Sequence, residues 1–359
     1  MAHASYPGWP PPLVDLHEDI SLYYFLGGHG LRFKPADFGI DLPERHGDIP
    51  KYRKANARLI FSAIAPTVPT ISDYRLSQLS SGYGMGVGAF RTRSPLTTAL
   101  EHVKIYYNLL FRHNRDLRLV RNREDVKDVE RVNGRIGFLM ALEGAEPLED
   151  VEDIDLFYAL GVRSLQLTWN FDNKYAASCM SKRDYGLTGD GEELIKRCNE
   201  LGVIVDLAHA SRKTALEAIE VSRLPVIISH ANTSAVHQHV RNVDDETLEK
   251  LKRNNGVIGV TCIEPTIGRE ATCKKLADHI IHVYQTIGCE HIALGTDYFG
   301  LLNMREPEGL EDITKIDNLW KELFSRGLSE EEVAKIAYRN IMRVVEANAR
   351  KWVDEYPNI

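Results

Sequence analysis

Potential metal ligands recur at the ends of short apolar runs in this 359-residue chain. His17 and Asp19 follow the run 13–16, Glu143 closes 136–142, His209 follows 203–207, His230 follows 226–228, and Asp297 follows 292–294. His17 and Asp19 are two residues apart, so on an extended chain their side chains leave on the same side and can share an ion. His209 and His230 follow consecutive runs and can meet at a second ion. Glu143, with two carboxylate oxygens, can bridge the pair. Nitrogen and carboxylate donors without sulfur suit catalytic zinc, or another first-row divalent cation. Two such ions roughly 3.5–4 Å apart can hold a bridging hydroxide and polarise a carbonyl together. A lone His or Asp at a strand end is usually a cap or a satisfied polar group; a whole set in one register is not explained that way.

Asp297 lies in Gly295-Thr-Asp-Tyr-Phe-Gly300. It reads as a proton carrier beside the metals, with a cap for the following segment as the bland alternative. Arg241 comes shortly after His230 and can clamp a carboxylate through two parallel hydrogen bonds, or else is a surface ion-pair partner. His237 and His239 read as rim residues. His102, His113, His279 and His282 fall in helical patterns and read as structural.

Positioning such residues takes a regular scaffold. Eight apolar, β-branched runs recur at 13–16, 59–64, 136–142, 162–167, 203–207, 226–228, 257–261 and 292–294. Amphipathic segments such as 96–114, 153–160, 192–201, 247–254 and 274–287 lie between them. Strands alternating with helices predict an α/β fold, a single (β/α)₈ TIM-type barrel over 1–359 with loop insertions at its C-terminal face. In such a barrel the C-terminal strand ends converge on one face, where distant residues meet. An open doubly wound sheet fits less well, because no Gly-rich phosphate turn follows the first strand. The Gly-rich stretch 82–88 follows no strand and reads as a rim loop. The insertion 21–54, rich in Gly, Pro and charge, is expected to decorate the barrel between its first two strands. Ser329 with Glu332 forms a capping box for a last helix reaching Val345.

Composition narrows the class. Hydrophobic residues are 43%, charged residues 26%, and the net charge is −7, which favours neither nucleic acid nor an anionic membrane. The five cysteines are an odd number without C-x-x-C spacing, so free thiols are expected. No secretory signal pattern opens the chain, no run approaches the ~18 apolar residues of a membrane span, and no apolar anchor tail closes it. A cytoplasmic location is the expectation, with a homodimer as a possibility.

Several stretches together resemble the membrane (renal) dipeptidases of the amidohydrolase superfamily. They are Leu13-Val-Asp-Leu-His-Glu-Asp19, Ala141-Leu-Glu-Gly-Ala145, Val205-Asp-Leu-Ala-His-Ala-Ser211, Ile228-Ser-His-Ala-Asn232 and Leu294-Gly-Thr-Asp-Tyr-Phe-Gly300. Supporting matches are Gly186-Leu-Thr, Asn199-Glu-Leu-Gly202, Arg241-Asn242 and Asn340-x-x-Arg343, so the resemblance runs over nearly the whole chain. It implies two zinc ions, one held by His17, Asp19 and Glu143, the other by Glu143, His209 and His230. It implies that Arg241 binds the substrate carboxylate and that Asp297 is the acid–base residue. It also supplies a substrate class, dipeptides, often with a D-residue tolerated at the C-terminal position.

One position departs from the mammalian pattern. Where those enzymes carry an oxyanion-stabilising His, this chain reads Leu167-Thr-Trp-Asn170. An indole N–H donates one hydrogen bond but cannot become a cation. Trp169, with Asn170 or Asn173, is the candidate to face the substrate instead. The expected activity is metal-assisted hydrolysis of a dipeptide amide. Its rivals are a lactonase, phosphotriesterase or deacetylase reaction on the same scaffold, or a non-catalytic metal-binding protein.

Overall fold

The computed structural model describes residues 10–26, 36–66, 94–131, 134–302 and 304–353. The stretch 82–88 and part of the insertion 21–54 lie outside them.

All eight expected strands form, and they are parallel. They are β1 (Leu13–Glu18), β2 (Ala57–Ile64), β4 (Ile136–Glu143), β5 (Val162–Gln166), β6 (Ile204–Asp206), β7 (Ile227–Ile228), β8 (Val257–Val260) and β9 (Ile292–Leu294). Neighbours pair β1 with β2 and onward through β9 back to β1, and a β2–β4 pairing closes the ring. Buried β-branched and aliphatic runs suit strands covered on both faces, which is why the runs lack polar alternation. A ninth strand, β3 (Leu117–Leu119), was not anticipated from the sequence. It pairs with the entry of β4, at Ile136 to Phe138, on the flank where β5 joins only from Met140 onward.

Helices fill the connections close to the expected spans: Pro95–Arg112, Asp153–Ala159, Gly189–Leu201, Asp245–Arg253 and Cys273–Ile287. Side chains of Ser94, Thr188, Ser211, Asp244 and Thr272 each accept a backbone N–H in the first turn, fixing where four of these helices (all but Asp153–Ala159) and Arg212–Val221 begin. Ser329 and Glu332 make the expected capping box. The helix it opens passes through a π-helical turn at Lys335–Arg339 before continuing as Asn340–Ala349. That wider turn brings Asn340 to the barrel floor, where its amide donates to the carbonyls of Cys289 and Ile292. Arg343 donates likewise to Asn255 and Glu290. The late Asn340-x-x-Arg343 pair therefore ties the last helix to the entries of β8 and β9.

The five cysteines are free. Among the described residues no helix is long and apolar enough to cross a membrane.

Candidate active site

Strand geometry delivers His17, Asp19, Glu143, His209, His230 and Asp297 to one place at the C-terminal ends of the barrel. Donor atoms of His17, Asp19 and Glu143 lie within 4.8 Å of one another, as do those of Glu143, His209 and His230, and those of His17, His230 and Asp297. Glu143 Oε1 stands 3.5 Å from His17 Nε2, 3.4 Å from His209 Nε2 and 3.8 Å from His230 Nε2. His17 Nε2 is 3.5 Å from Asp19 Oδ2 and 3.8 Å from Asp297 Oδ1. All six residues are buried.

Two carboxylates deeper in the barrel set this register. Asp15 accepts the backbone N–H of His17 and of Thr296 on Oδ1 and the Thr296 hydroxyl on Oδ2, locking β1 to the loop that carries Asp297. Burial pushes its carboxyl up to about 6 despite those bonds. Asp206 accepts the N–H groups of Ala208 and Ser229, locking the end of β6 to that of β7 beside His209 and His230. Neither role was read from the sequence, although Asp15 shares the two-residue alternation of His17 and Asp19.

The loops that follow are tight. His209 and Asp297 both adopt φ of 63°, a left-handed conformation that costs a non-glycine residue about 1–3 kcal/mol. Backbone bonds hold them there: Cys179 N–H donates to His209 O at 2.7 Å, and Asp297 N–H to His17 O at 3.0 Å. Gly300 supplies the space. A Cβ on it would stand 2.2 Å from Asp19 Oδ2 and 2.4 Å from Asp297 Oδ1.

The donors fit divalent cations. Both ring nitrogens of His17 and Oδ1 of Asp19 are buried without a hydrogen-bond partner, a costly state that a bound cation relieves. His209 Nε2 and His230 Nε2 face each other at 3.0 Å. Burial, with Arg241 and His17 nearby, depresses the pKa of both, so each is neutral and presents a lone pair. In the metal-free protein burial alone would depress His17, but Glu143, Asp19 and Asp297 outweigh it and hold the ring at about 10. Burial raises Glu143 well above the carboxylate range and pushes Asp297 up to about 8, with Asp19 reinforcing both. A cluster that holds protons in place of cations is what metal ligands do when metal-free.

Beside it opens a cleft lined by Asp19, Glu143, His209, Asp297, Arg241, Trp169 and Asn170, with Leu22, Ile263, Leu302 and Met304 as its apolar wall. Arg241 is buried; Nη2 donates to His230 O at 3.2 Å while Nε has no partner. Trp169 lies with its ring centroid 5.9 Å from that of His209. Asn170 Oδ1 lies 2.8 Å from His209 Nδ1. Asn173 is not at the cleft: its amide donates to Leu167 O, and its carbonyl accepts from Tyr175 and Ala176. His237 and His239 are half-buried on the segment before Arg241, and His102 and His279 are buried among helices.

A closed parallel barrel carrying nitrogen and carboxylate donors at its strand ends defines a metal-dependent amidohydrolase-type protein. The chain belongs to the membrane dipeptidase family (peptidase family M19), whose family model matches residues 10–355. It is 35% identical over 256 residues to the dipeptidase verJ of Clonostachys rogersoniana, covering 70% of this chain and 65% of that protein. It is 34% identical over 255 residues to an uncharacterized dipeptidase of Schizosaccharomyces pombe, covering 68% and 61%. The chain thus spans less than two thirds of the length of these curated relatives. Among solved structures, a metallo peptidase from Rhodobacter sphaeroides, liganded with a phosphinate mimic of the dipeptide L-Ala-D-Ala, shares the fold. It superposes with a TM-score of 0.79 at 21% identity, covering 94% of this chain and 99% of that one. An amidohydrolase from Pseudomonas aeruginosa gives 0.72 at 22%, covering 95% and 97%.

Proposed function

We propose that this protein is a two-zinc dipeptidase that hydrolyses the amide bond of dipeptides through attack by hydroxide, with a D-residue tolerated at the C-terminal position. The observation that carries the reading is the interlocking of the donor sets, in which Glu143 belongs both to the His17–Asp19 group and to the His209–His230 group. Family membership supports the substrate class.

His17, Asp19 and Glu143 would hold one cation and Glu143, His209 and His230 the other. Divalent cations, if bound there, would lower the pKa of water toward about 7 and would polarise the scissile carbonyl. The chain's own groups do the rest. Arg241, whose buried Nε has no protein partner, receives the C-terminal carboxylate of the substrate in charge-assisted hydrogen bonds. Asp297, which lines the cleft 3.8 Å from His17 Nε2, takes the proton of the attacking water and returns it to the leaving amine. Trp169 and Asn170 wall the cleft on the His209 side and exclude water from the reacting bond.

The test pairs metal analysis with turnover. Zinc-loaded protein should carry two ions per chain, release both amino acids from L,L- and L,D-dipeptides, and lose that activity to a chelator. A chain holding two ions that cleaves no dipeptide in a broad panel would sink the substrate assignment.

A further inference from the structure

We infer that His46 is a positioning residue, latching the wall of the active-site cleft that begins at Asp297. His46 comes from the insertion after β1, yet it is buried against residues more than 250 positions away. The Phe299 N–H donates to His46 Nδ1 at 2.9 Å. Since a backbone N–H can only donate, Nδ1 is unprotonated and the ring proton sits on Nε2. Nε2 then donates to Glu306 Oε1, 2.7 Å away. The ring stacks on Tyr298 with centroids 5.0 Å apart at 12°, and meets Phe299 edge-on at 5.5 Å and 83°. The His46 carbonyl accepts from Ile313 N–H at 2.9 Å. One residue therefore grips the wall at its start, at Glu306 and beyond it.

That wall needs a grip. Asp297, Phe299 and Leu302 have φ of 63°, 67° and 53°, all left-handed and all non-glycine. Such backbone persists only where surrounding contacts over-determine it. Gly300, Leu302 and Met304 from the same stretch line the cleft. His46 itself stands on a firm base. Next to it, buried Arg45 donates to Asp37 O at 3.2 Å and to Asp48 Oδ2 at 3.4 Å, and Asp48 also takes Lys51 Nζ at 3.0 Å. Releasing the latch lets the wall leave its strained conformation, which widens the cleft while the ligands on the other strands stay in place. Substrate affinity suffers before chemistry does.

This inference rests on the dipeptidase reading for its kinetic arm only. In the zinc-loaded full chain, His46→Ala should raise KM about tenfold, the worth of one buried hydrogen bond, with a smaller change in kcat and two ions retained. Hydrogen exchange at the Phe299 amide should quicken by a similar factor or more. His46→Asn keeps an acceptor near the Nδ1 position and should restore Phe299 protection with an intermediate KM. Glu306→Ala, at a partly exposed site, should shift KM the same way and serves if His46→Ala does not fold. Unchanged Phe299 exchange in His46→Ala, or a lowered melting temperature with KM unmoved, overturns the latch. Exchange is read without substrate, so a wild-type chain that cleaves no dipeptide sinks the activity while the latch stands or falls on Phe299.

Discussion

Asn170 Oδ1 lies 2.8 Å from His209 Nδ1, and this contact decides which face of the imidazole meets a metal. An amide oxygen only accepts, so Nδ1 carries the proton and Nε2 keeps its lone pair, directed at His230 Nε2 and Glu143. The same Oδ1 receives the Cys179 thiol at 3.8 Å. Asn170 therefore acts on the metal through His209 as well as lining the cleft. Partners of this kind are worth about 10- to 100-fold in metal affinity. Asn170→Ala should weaken zinc binding at the His209 side by that factor, read by competition with a chromogenic chelator. Asn170→Asp retains an acceptor and should bind at least as tightly as wild type. Equal affinity for all three proteins would refute the orienting role.

Gly300 sits tightly against two carboxylates of the site. A methyl group there would press on the Asp19 and Asp297 carboxylates at 2.2 and 2.4 Å, so one of them must swing away. Gly300→Ala should cost about 1–3 kcal/mol of stability, the usual range for overpacking. It should cost activity about a hundredfold, since displacement of a reacting group by about 1 Å is worth that much. Paired chemical denaturation and steady-state assays check both numbers. Wild-type kinetics in the alanine variant would show that the two carboxylates do not work at this spacing.

Much of this site is legible in the sequence because strand geometry is local. His17 and Asp19 alternate at the end of an apolar run, and His209 and His230 follow two more, so period and position announce them. The eight barrel strands are legible for the same reason, being runs of Val, Ile and Leu buried on both faces. What escapes is whatever depends on distant partners or on brevity. β3 has three residues, too few to show a pattern, and exists because β4 exposes a flank below β5. His46 sits in a loop with no periodic signal, and its partners Phe299 and Glu306 lie at the other end of the chain. The left-handed backbone of His209 and Asp297 is equally silent, since Asp and His adopt positive φ more often than other non-glycine residues but still in only a small minority of positions. Asn173 misled for a related reason: an amide near the fourth predicted strand has the right chemistry for the cleft, but its loop turns it onto Leu167, Tyr175 and Ala176.

Acid should destabilise the fold through two histidines outside the metal cluster. Burial lowers both His102 and His279 to about 4, with nearby acidic groups or a carbonyl only partly opposing it. Unfolded histidine titrates near about 6.5. As pH falls from about 6.5 toward about 4 the unfolded chain takes up protons that the folded chain refuses, so stability declines across that window and levels below it. Each residue contributes about 1–3 kcal/mol to this loss. His279 Nδ1 accepts from the Thr233 N–H at 3.1 Å, a bond its protonation would break. His279→Asn offers an acceptor that does not titrate and should flatten the stability–pH slope by about one proton between those limits. Urea midpoints measured at half-unit pH steps would show it, and a slope identical to wild type would exclude His279 as a source.

Arg241 offers the sharpest separation between binding and structure. Its guanidinium is buried, spends Nη2 on the His230 carbonyl at 3.2 Å, and leaves Nε without a protein partner, while the residue lines the cleft. A carboxylate received there would satisfy the orphan donor and gain the planar, two-point geometry that an ammonium cannot reproduce. Arg241→Lys keeps the charge but loses the fork, and should lower kcat/KM for free dipeptides by about 10- to 100-fold, mainly through KM, as expected for a charge-assisted hydrogen bond. A dipeptide amide, lacking the terminal carboxylate, should be a poor substrate for wild type and no poorer for the variant. That convergence is the informative readout. If Arg241→Lys penalises the amide as heavily as the free acid, the residue supports the His230 loop and does not recognise the substrate's C-terminus.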